Sequence, residues 1–161
     1  MTAQVTIREF DDRDIEGVIA VARDLQAHER QLFSRAKLPA ELGTDYVHHI
    51  RKVAADHDGT FLVAEWGGQV VGYCTLLTHC DSSDQSDETF YAYAYVGDLG
   101  VRADQRSSGI GSMLIEEATR IARAAGLKWL RLSVLAANGG ARRFYARNGF
   151  AEHLVEVEKA L

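Results

Sequence analysis

Alternating and helix-spaced apolar positions divide the chain into short strands and amphipathic helices. Positions 6–10 alternate as a short strand, and the Asp11-Asp12 pair opens a helix over 13–31 with Ile15, Val18, Ile19, Ala22 and Leu25 on one face. The pattern breaks across 32–42 around Pro39, a candidate ligand-facing segment. A second helix then runs from Thr44, read as its N-cap, to about Ala55. Two β-rich runs, 60–66 and 69–77, flank Gly67-Gly68 and predict an antiparallel hairpin. A polar loop over 79–89, carrying Asp81, Asp84, Asp87 and Glu88, leads into a third β-rich run over 90–101 with Tyr91, Tyr93 and Tyr95. After Gly109 and Gly111, apolar Leu114, Ile115, Ala118, Ile121, Ala122 and Ala125 mark the clearest helix, and Gly126 is placed to end it. A strand over 129–135, a short helix over 139–147 closed by Gly149, and a last strand over 151–157 complete the pattern. Strand, helix, strand implies a parallel crossover.

Composition narrows what such a chain can do. With 161 residues, 47% hydrophobic and 25% charged, residues 1–161 are expected to form one domain with a sizeable core. The net charge is -5 and no basic stripe stands out, which argues against nucleic acid as a partner. An anionic ligand would have to be captured locally, by main-chain N–H groups and a few arginines. The first residues lack a signal-peptide layout and no apolar run approaches the roughly 20 residues that span a bilayer, so the expectation is a cytoplasmic protein without membrane attachment. Cys74 and Cys80 read as free thiols, and His28, His48, His49, His57, His79 and His153 form no metal-ligand spacing, so no metal is expected.

Chemistry concentrates at Arg106-Ser107-Ser108-Gly109-Ile110-Gly111, between a strand and the long helix. Main-chain N–H groups at a helix start have no partner inside the helix and bind phosphate oxygens. Gly109 and Gly111 would let the backbone approach a diphosphate, and Arg106 would add a fixed positive charge. A dinucleotide fingerprint would need a third glycine where Leu114 stands, and a nucleoside-triphosphate loop would need Gly-Lys-Ser/Thr, which the chain lacks. Taken alone, the six residues read equally well as an ordinary glycine-capped turn.

The turn follows a β-run ending Asp98-Leu99-Gly100-Val101. Downstream lie Asn138, Ala141-Arg142-Arg143-Phe144-Tyr145 and Asn148-Gly149-Phe150. Together these resemble the Gcn5-related N-acetyltransferase (GNAT) family, strongly over 96–150 and more loosely before 62. The resemblance implies a mixed α/β fold, with a mostly antiparallel twisted sheet flanked by helices and becoming parallel at its centre. It implies acetyl-CoA as cosubstrate: main chain of Leu99, Gly100 and Val101 on the pantetheine arm, Arg106, Ser107, Ser108, Gly109, Ile110, Gly111 and Ser112 on the pyrophosphate, and Asn138 on the cofactor arm. Tyr145 would stand near the thioester sulfur and protonate the departing thiolate. A phenol with a reference pKa of about 10 still carries its proton at neutral pH.

Asp98 is the candidate base or acceptor anchor, and a strand-end carboxylate in a hydrogen-bonded corner is its plain alternative. Asn138 could equally cap the following helix, and Tyr145 could be a core aromatic. Three residues depart from similar proteins: Gly97 replaces a glutamate, Ser107 a glycine, and Gly100 a bulky residue, which reads as room near the pantetheine or as a bulge. The implied reaction is direct transfer of acetyl to a primary amine of a small molecule or peptide, with acceptor contacts expected from 32–46 and 79–93. A catalytically degenerate acyl-CoA-binding sensor is the alternative. Dimers are common among similar proteins, which leaves a homodimer open.

Overall fold

In the computed structural model, residues 4–161 are described, and they form one five-stranded sheet in the order β1-β2-β3-β4-β5. The strands are β1 (Thr6–Glu9), β2 (Thr60–Trp66), β3 (Gln69–Asp81), β4 (Ala92–Val101) and β5 (Leu130–Arg131). The helices are α1 (Ile15–Leu32), α2 (Thr44–Asp56), α3 (Ile110–Ala124) and α4 (Gly139–Arg147). Pairing is antiparallel from β1 through β4 and parallel between β4 and β5. The parallel pair therefore lies at the sheet edge rather than at the centre, because α3 returns the chain to the outer side of β4.

Two apolar clusters, one on each face, hold the layers together. Val18, Ile19, Val21 and Ala22 of α1 join Val47 and Ile50 of α2 over Phe61, Val63 and Tyr73 of the sheet. On the other face Ile110, Leu114, Ile115, Ala118 and Ala122 of α3 pack on Leu62, Cys74, Leu76, Ala94 and Val96, with Phe144, Tyr145 and Phe150 against their margin. Both helices thus bury the stripes that their spacing predicts, and the alternating strands supply one set of side chains to each layer. Arg8 locks the start of α1 to the sheet edge: its guanidinium bonds both oxygens of buried Asp14 (2.7 and 2.8 Å) and Glu65 (2.6 Å).

Several boundaries differ from the sequence reading. Gly43, not Thr44, is the N-cap of α2, and no side chain caps that helix. The strand expected over 129–135 shortens to Leu130–Arg131, since β4 offers parallel partners only at Ala94 and Tyr95. The strand expected over 151–157 does not form: residues 150–161 carry no regular structure, and Leu154, Val155 and Val157 are exposed. Alternation qualifies a segment for a sheet, but it pairs only where an edge lies in register.

Gly126 ends α3 in the left-handed region, with φ 77°, and its N–H donates to the Arg123 carbonyl at 2.9 Å. A Cβ at this position would meet nothing within 4 Å, so only backbone strain opposes a side chain there. Gly126→Ala is therefore expected to lower unfolding free energy in urea by about 1 kcal/mol, and Gly126→Asn by less. An unchanged Ala variant would mean that the helix end relaxes into another conformation.

Candidate active site

β3 and β4 form a long antiparallel ladder whose register is interrupted between Thr75↔Asp98 and Leu76↔Val96, so Gly97 is the extra residue. The bulge belongs to Gly97, where a Cβ would fall 2.8 Å from Thr75 Oγ1, and not to Gly100. At Gly100 a Cβ would meet the Tyr73 ring at 2.8 Å and Val21 at 3.1 Å. The room that Gly100 makes is therefore taken by its own core, a correction to its reading as space for a pantetheine arm. By adding one residue, the bulge keeps Val96 and Leu99 on the α3 side and turns Asp98 toward α1 and α2.

The parallel pairing with β5 stops at Tyr95↔Arg131, and among the described residues β4 has no ladder partner on that side from Val96 to Val101. A sheet that stays paired separates its two faces, whereas one that splays leaves main-chain groups and a passage between the faces. Leu99, Gly100 and Val101 lie on that unpaired stretch. Arg106 folds back over its end, where its guanidinium donates to the carbonyls of Val101 (3.3 Å) and Asp24 (3.2 Å).

The turn at 106–112 has the form of an anion cradle. Gly109 is the N-cap of α3 in the left-handed region, φ 90°, and Ser107 is left-handed too, φ 63°, which is uncommon outside glycine. No side chain caps the helix, no acid occupies its first turn, and Met113 N–H is already bonded to the Gly109 carbonyl at 3.1 Å. The N–H groups of Ile110, Gly111 and Ser112 have no hydrogen-bond partner among the described residues and lie at the positive end of a 15-residue helix. Ser108 spends its hydroxyl on the Gln105 carbonyl. Gly111 also lets α4 close on α3, because a Cβ there would meet Phe144 at 3.0 Å.

Asn138 caps α4, its Oδ1 accepting from Ala141 N–H at 3.0 Å. Tyr145 is half-buried between Phe144 and Phe150, with ring centroids 5.1 and 5.7 Å away, and its hydroxyl has no hydrogen-bond partner among the described residues. Burial, reinforced by Cys74 and the Glu29 carboxylate, pushes its phenol up to about 12.

Asp98 lies among hydroxyls. Tyr46 donates to its Oδ1 at 3.0 Å, Thr75 donates to its Oδ2 at 3.3 Å, and its own N–H donates to Thr75 Oγ1 at 2.9 Å. Burial raises its pKa above the ordinary carboxylate value, against the opposing pull of the Tyr46 and Thr75 hydrogen bonds and the nearby His49. Glu29, on the last turns of α1, is a second raised carboxylate: burial is the main cause, and Asp98 adds to it. Its carboxyl makes no ion pair or hydrogen bond among the described residues.

Asp98 and Tyr145 are on opposite faces of the sheet; the Glu29 charge raises the Tyr145 phenol, and the Asp98 charge raises Glu29. The sequence motifs did not single out Glu29, Tyr46, Tyr73 or Thr75. Only Tyr46 lay in a stretch, 32–46, from which acceptor contacts were expected.

Comparison with known proteins follows the same outline. The model of the acetyltransferase (GNAT) family matches residues 19–150. A mycothiol acetyltransferase of Nocardiopsis dassonvillei is 35% identical over 96 residues, 60% of this chain and 28% of the relative. An uncharacterized N-acetyltransferase of Methanocaldococcus jannaschii is 36% identical over 97 residues, 60% of this chain and 41% of the relative. The match thus spans less than half the length of either relative. In fold, a transcriptional regulator from Bacillus halodurans aligns with TM-score 0.73 at 23% identity over 98% of this chain and 100% of its own. An aminoglycoside N-acetyltransferase solved with CoA aligns with TM-score 0.71 at 15% identity over 100% of this chain and 98% of its own.

Proposed function

The chain belongs to the acetyltransferase (GNAT) family, and from that premise we propose that it transfers the acetyl group of acetyl-CoA directly to a primary amine. The observation that carries this reading is the uncapped, acid-free start of α3 beside a β4 edge that has lost its partner. The residues fit the cosubstrate. The N–H groups of Ile110, Gly111 and Ser112, with Ser107 and Gly109 shaping the turn, would hold the pyrophosphate, and Arg106 would exchange its carbonyl contacts for it. The free edge at Leu99, Gly100 and Val101 would bond the amide-bearing pantetheine arm. Asn138, already committed to its helix, would contribute through its remaining amide hydrogens.

Bound acetyl-CoA supplies an electrophilic thioester carbonyl. The protein has two proton tasks around it, because an ammonium has no lone pair for attack and a departing thiolate carries negative charge. Asp98 takes the ammonium proton, and its raised pKa makes it a stronger base than an exposed aspartate. Tyr145 meets the sulfur. A phenol pushed up to about 12 is a weaker acid than a thiol of about 8.5, so it donates a hydrogen bond to the sulfur as charge develops, and the departing thiolate takes the second proton that the nitrogen sheds when the tetrahedral adduct collapses. Glu29, half-buried, with no ion pair or hydrogen bond to its carboxyl among the described residues and with only the His28 charge to offset its burial, offers the arriving cation its counter-charge.

Thiol release from acetyl-CoA against a panel of amines tests the proposal. Binding of CoA without thiol release for any amine would leave an acyl-CoA-binding module in its place. With the best amine, Glu29→Gln is expected to raise the KM of the amine roughly three- to tenfold and leave that of acetyl-CoA unchanged. An unchanged amine KM would remove Glu29 from the acceptor site.

A further inference from the structure

Two phenols beside Asp98 set the direction of its hydrogen bonds. The hydroxyl oxygens of Tyr46 and Tyr73 are 2.9 Å apart, and Tyr46 bonds Asp98 Oδ1 at 3.0 Å. Each phenol has a single proton. An ionised Asp98 can only accept, so the Tyr46 proton points at it, and Tyr73 must therefore be the donor to Tyr46. The opposite polarity, with Asp98 donating to Tyr46 and Tyr46 to Tyr73, would leave the Tyr73 proton without an acceptor among the described residues. Tyr73 is fully buried, so that arrangement is disfavoured. The chain of hydroxyls is polarised toward the carboxylate.

We propose that Tyr46, oriented by Tyr73, is a positioning residue that fixes the Asp98 carboxylate through Oδ1 and leaves Oδ2, held only by Thr75 at 3.3 Å, to take the incoming proton. This rests on the reading of Asp98 as the base. Asp98 is faced by Glu29 from α1, Tyr46 and His49 from α2, and Tyr73 and Thr75 from β3, and its charge also reaches Cys74 on the other face of the sheet. Of these, Tyr46, Thr75 and His49 favour its charged form, against burial. Removing the Tyr46 hydroxyl leaves burial less opposed, and Asp98 then titrates at higher pH.

Carbon-13 NMR of protein labelled at the aspartate carboxyl carbon reads this directly, with the Asp98 signal assigned by its loss in Asp98→Asn. The Asp98 midpoint is expected to move up in Tyr46→Phe and, by a smaller amount, in Tyr73→Phe, which keeps the direct donor but frees its proton to rotate. A midpoint that stays in place in folded Tyr46→Phe overturns the proposal; if that variant does not fold, an unmoved midpoint in Tyr73→Phe does so. The pH profile of kcat/KM with the best amine separates the two layers of argument. Tyr46→Phe should lose on the order of tenfold on the acid side and recover at higher pH. An acid limb that survives in Asp98→Asn defeats the base assignment itself, whereas a limb lost in Asp98→Asn but unmoved in Tyr46→Phe defeats only the positioning role.

Discussion

Tyr145→Phe is expected to lower kcat by roughly 10²- to 10³-fold while leaving the affinity for CoA within about twofold. The variant deletes one oxygen and keeps the ring, so the edge contacts with Phe144 and Phe150 and the packing against the α3 face survive. The hydroxyl has no partner among the described residues, so its removal breaks no bond of the resting fold. The loss should fall on the step in which sulfur departs. Steady-state kinetics with calorimetric CoA binding checks this, and equal losses in turnover and affinity would make Tyr145 a wall of the site rather than a participant.

Gly109→Val is expected to weaken CoA binding by roughly 100-fold or more, with a melting temperature lowered by only a few degrees. The position is open, since a Cβ would meet nothing within 4 Å, but φ 90° is a conformation that a β-branched residue tolerates poorly. The strain of about 1–2 kcal/mol is relieved by rotating the turn, which takes the N–H groups of Ile110, Gly111 and Ser112 out of alignment. A shift that small leaves the α3 core anchored by Leu114 and Ala118 intact. Full CoA affinity in the folded variant would show that the cradle lies elsewhere. Gly111→Ala gives a contrasting readout, because its methyl meets Phe144, so stability falls along with binding.

Much of this was legible in the sequence because it depends on local periodicity. The α3 stripe, the β2–β3 hairpin at Gly67-Gly68 and the ends of α3 and α4 at Gly126 and Gly149 follow from residues near one another in the chain, whereas the crossover expected over 129–157 lacks its last strand and the parallel pair is made by β4 and β5 instead. What failed depends on partners. The run 151–157 has the alternation of a strand and no edge to join, and β5 is cut to two residues by where β4 parts from it. The same holds within the site. Thr75 and Tyr73 are brought to Asp98 by a register that a single bulged glycine sets, and Tyr46 arrives from α2, so their convergence is a tertiary fact. Gly100 and Gly111 show the converse. The sequence suggested only ligand-directed reasons for these glycines, and the structure adds a packing reason, since a Cβ would meet Tyr73 at Gly100 and Phe144 at Gly111.

Asp98 ends between its two sequence readings. It is held in a hydrogen-bonded corner, and burial still leaves its pKa raised. On the proposed reading, this raised carboxylate beside Glu29 is the group that gains and releases a proton during turnover.

The account depends on the start of α3 gripping a diphosphate. Titration calorimetry of the purified, folded protein with CoA, run beside dephospho-CoA and pantetheine, tests it most directly. One CoA per chain is predicted, with binding kept by dephospho-CoA and lost by pantetheine, which lacks the pyrophosphate. No heat with CoA, or equal affinity for pantetheine, would contradict it.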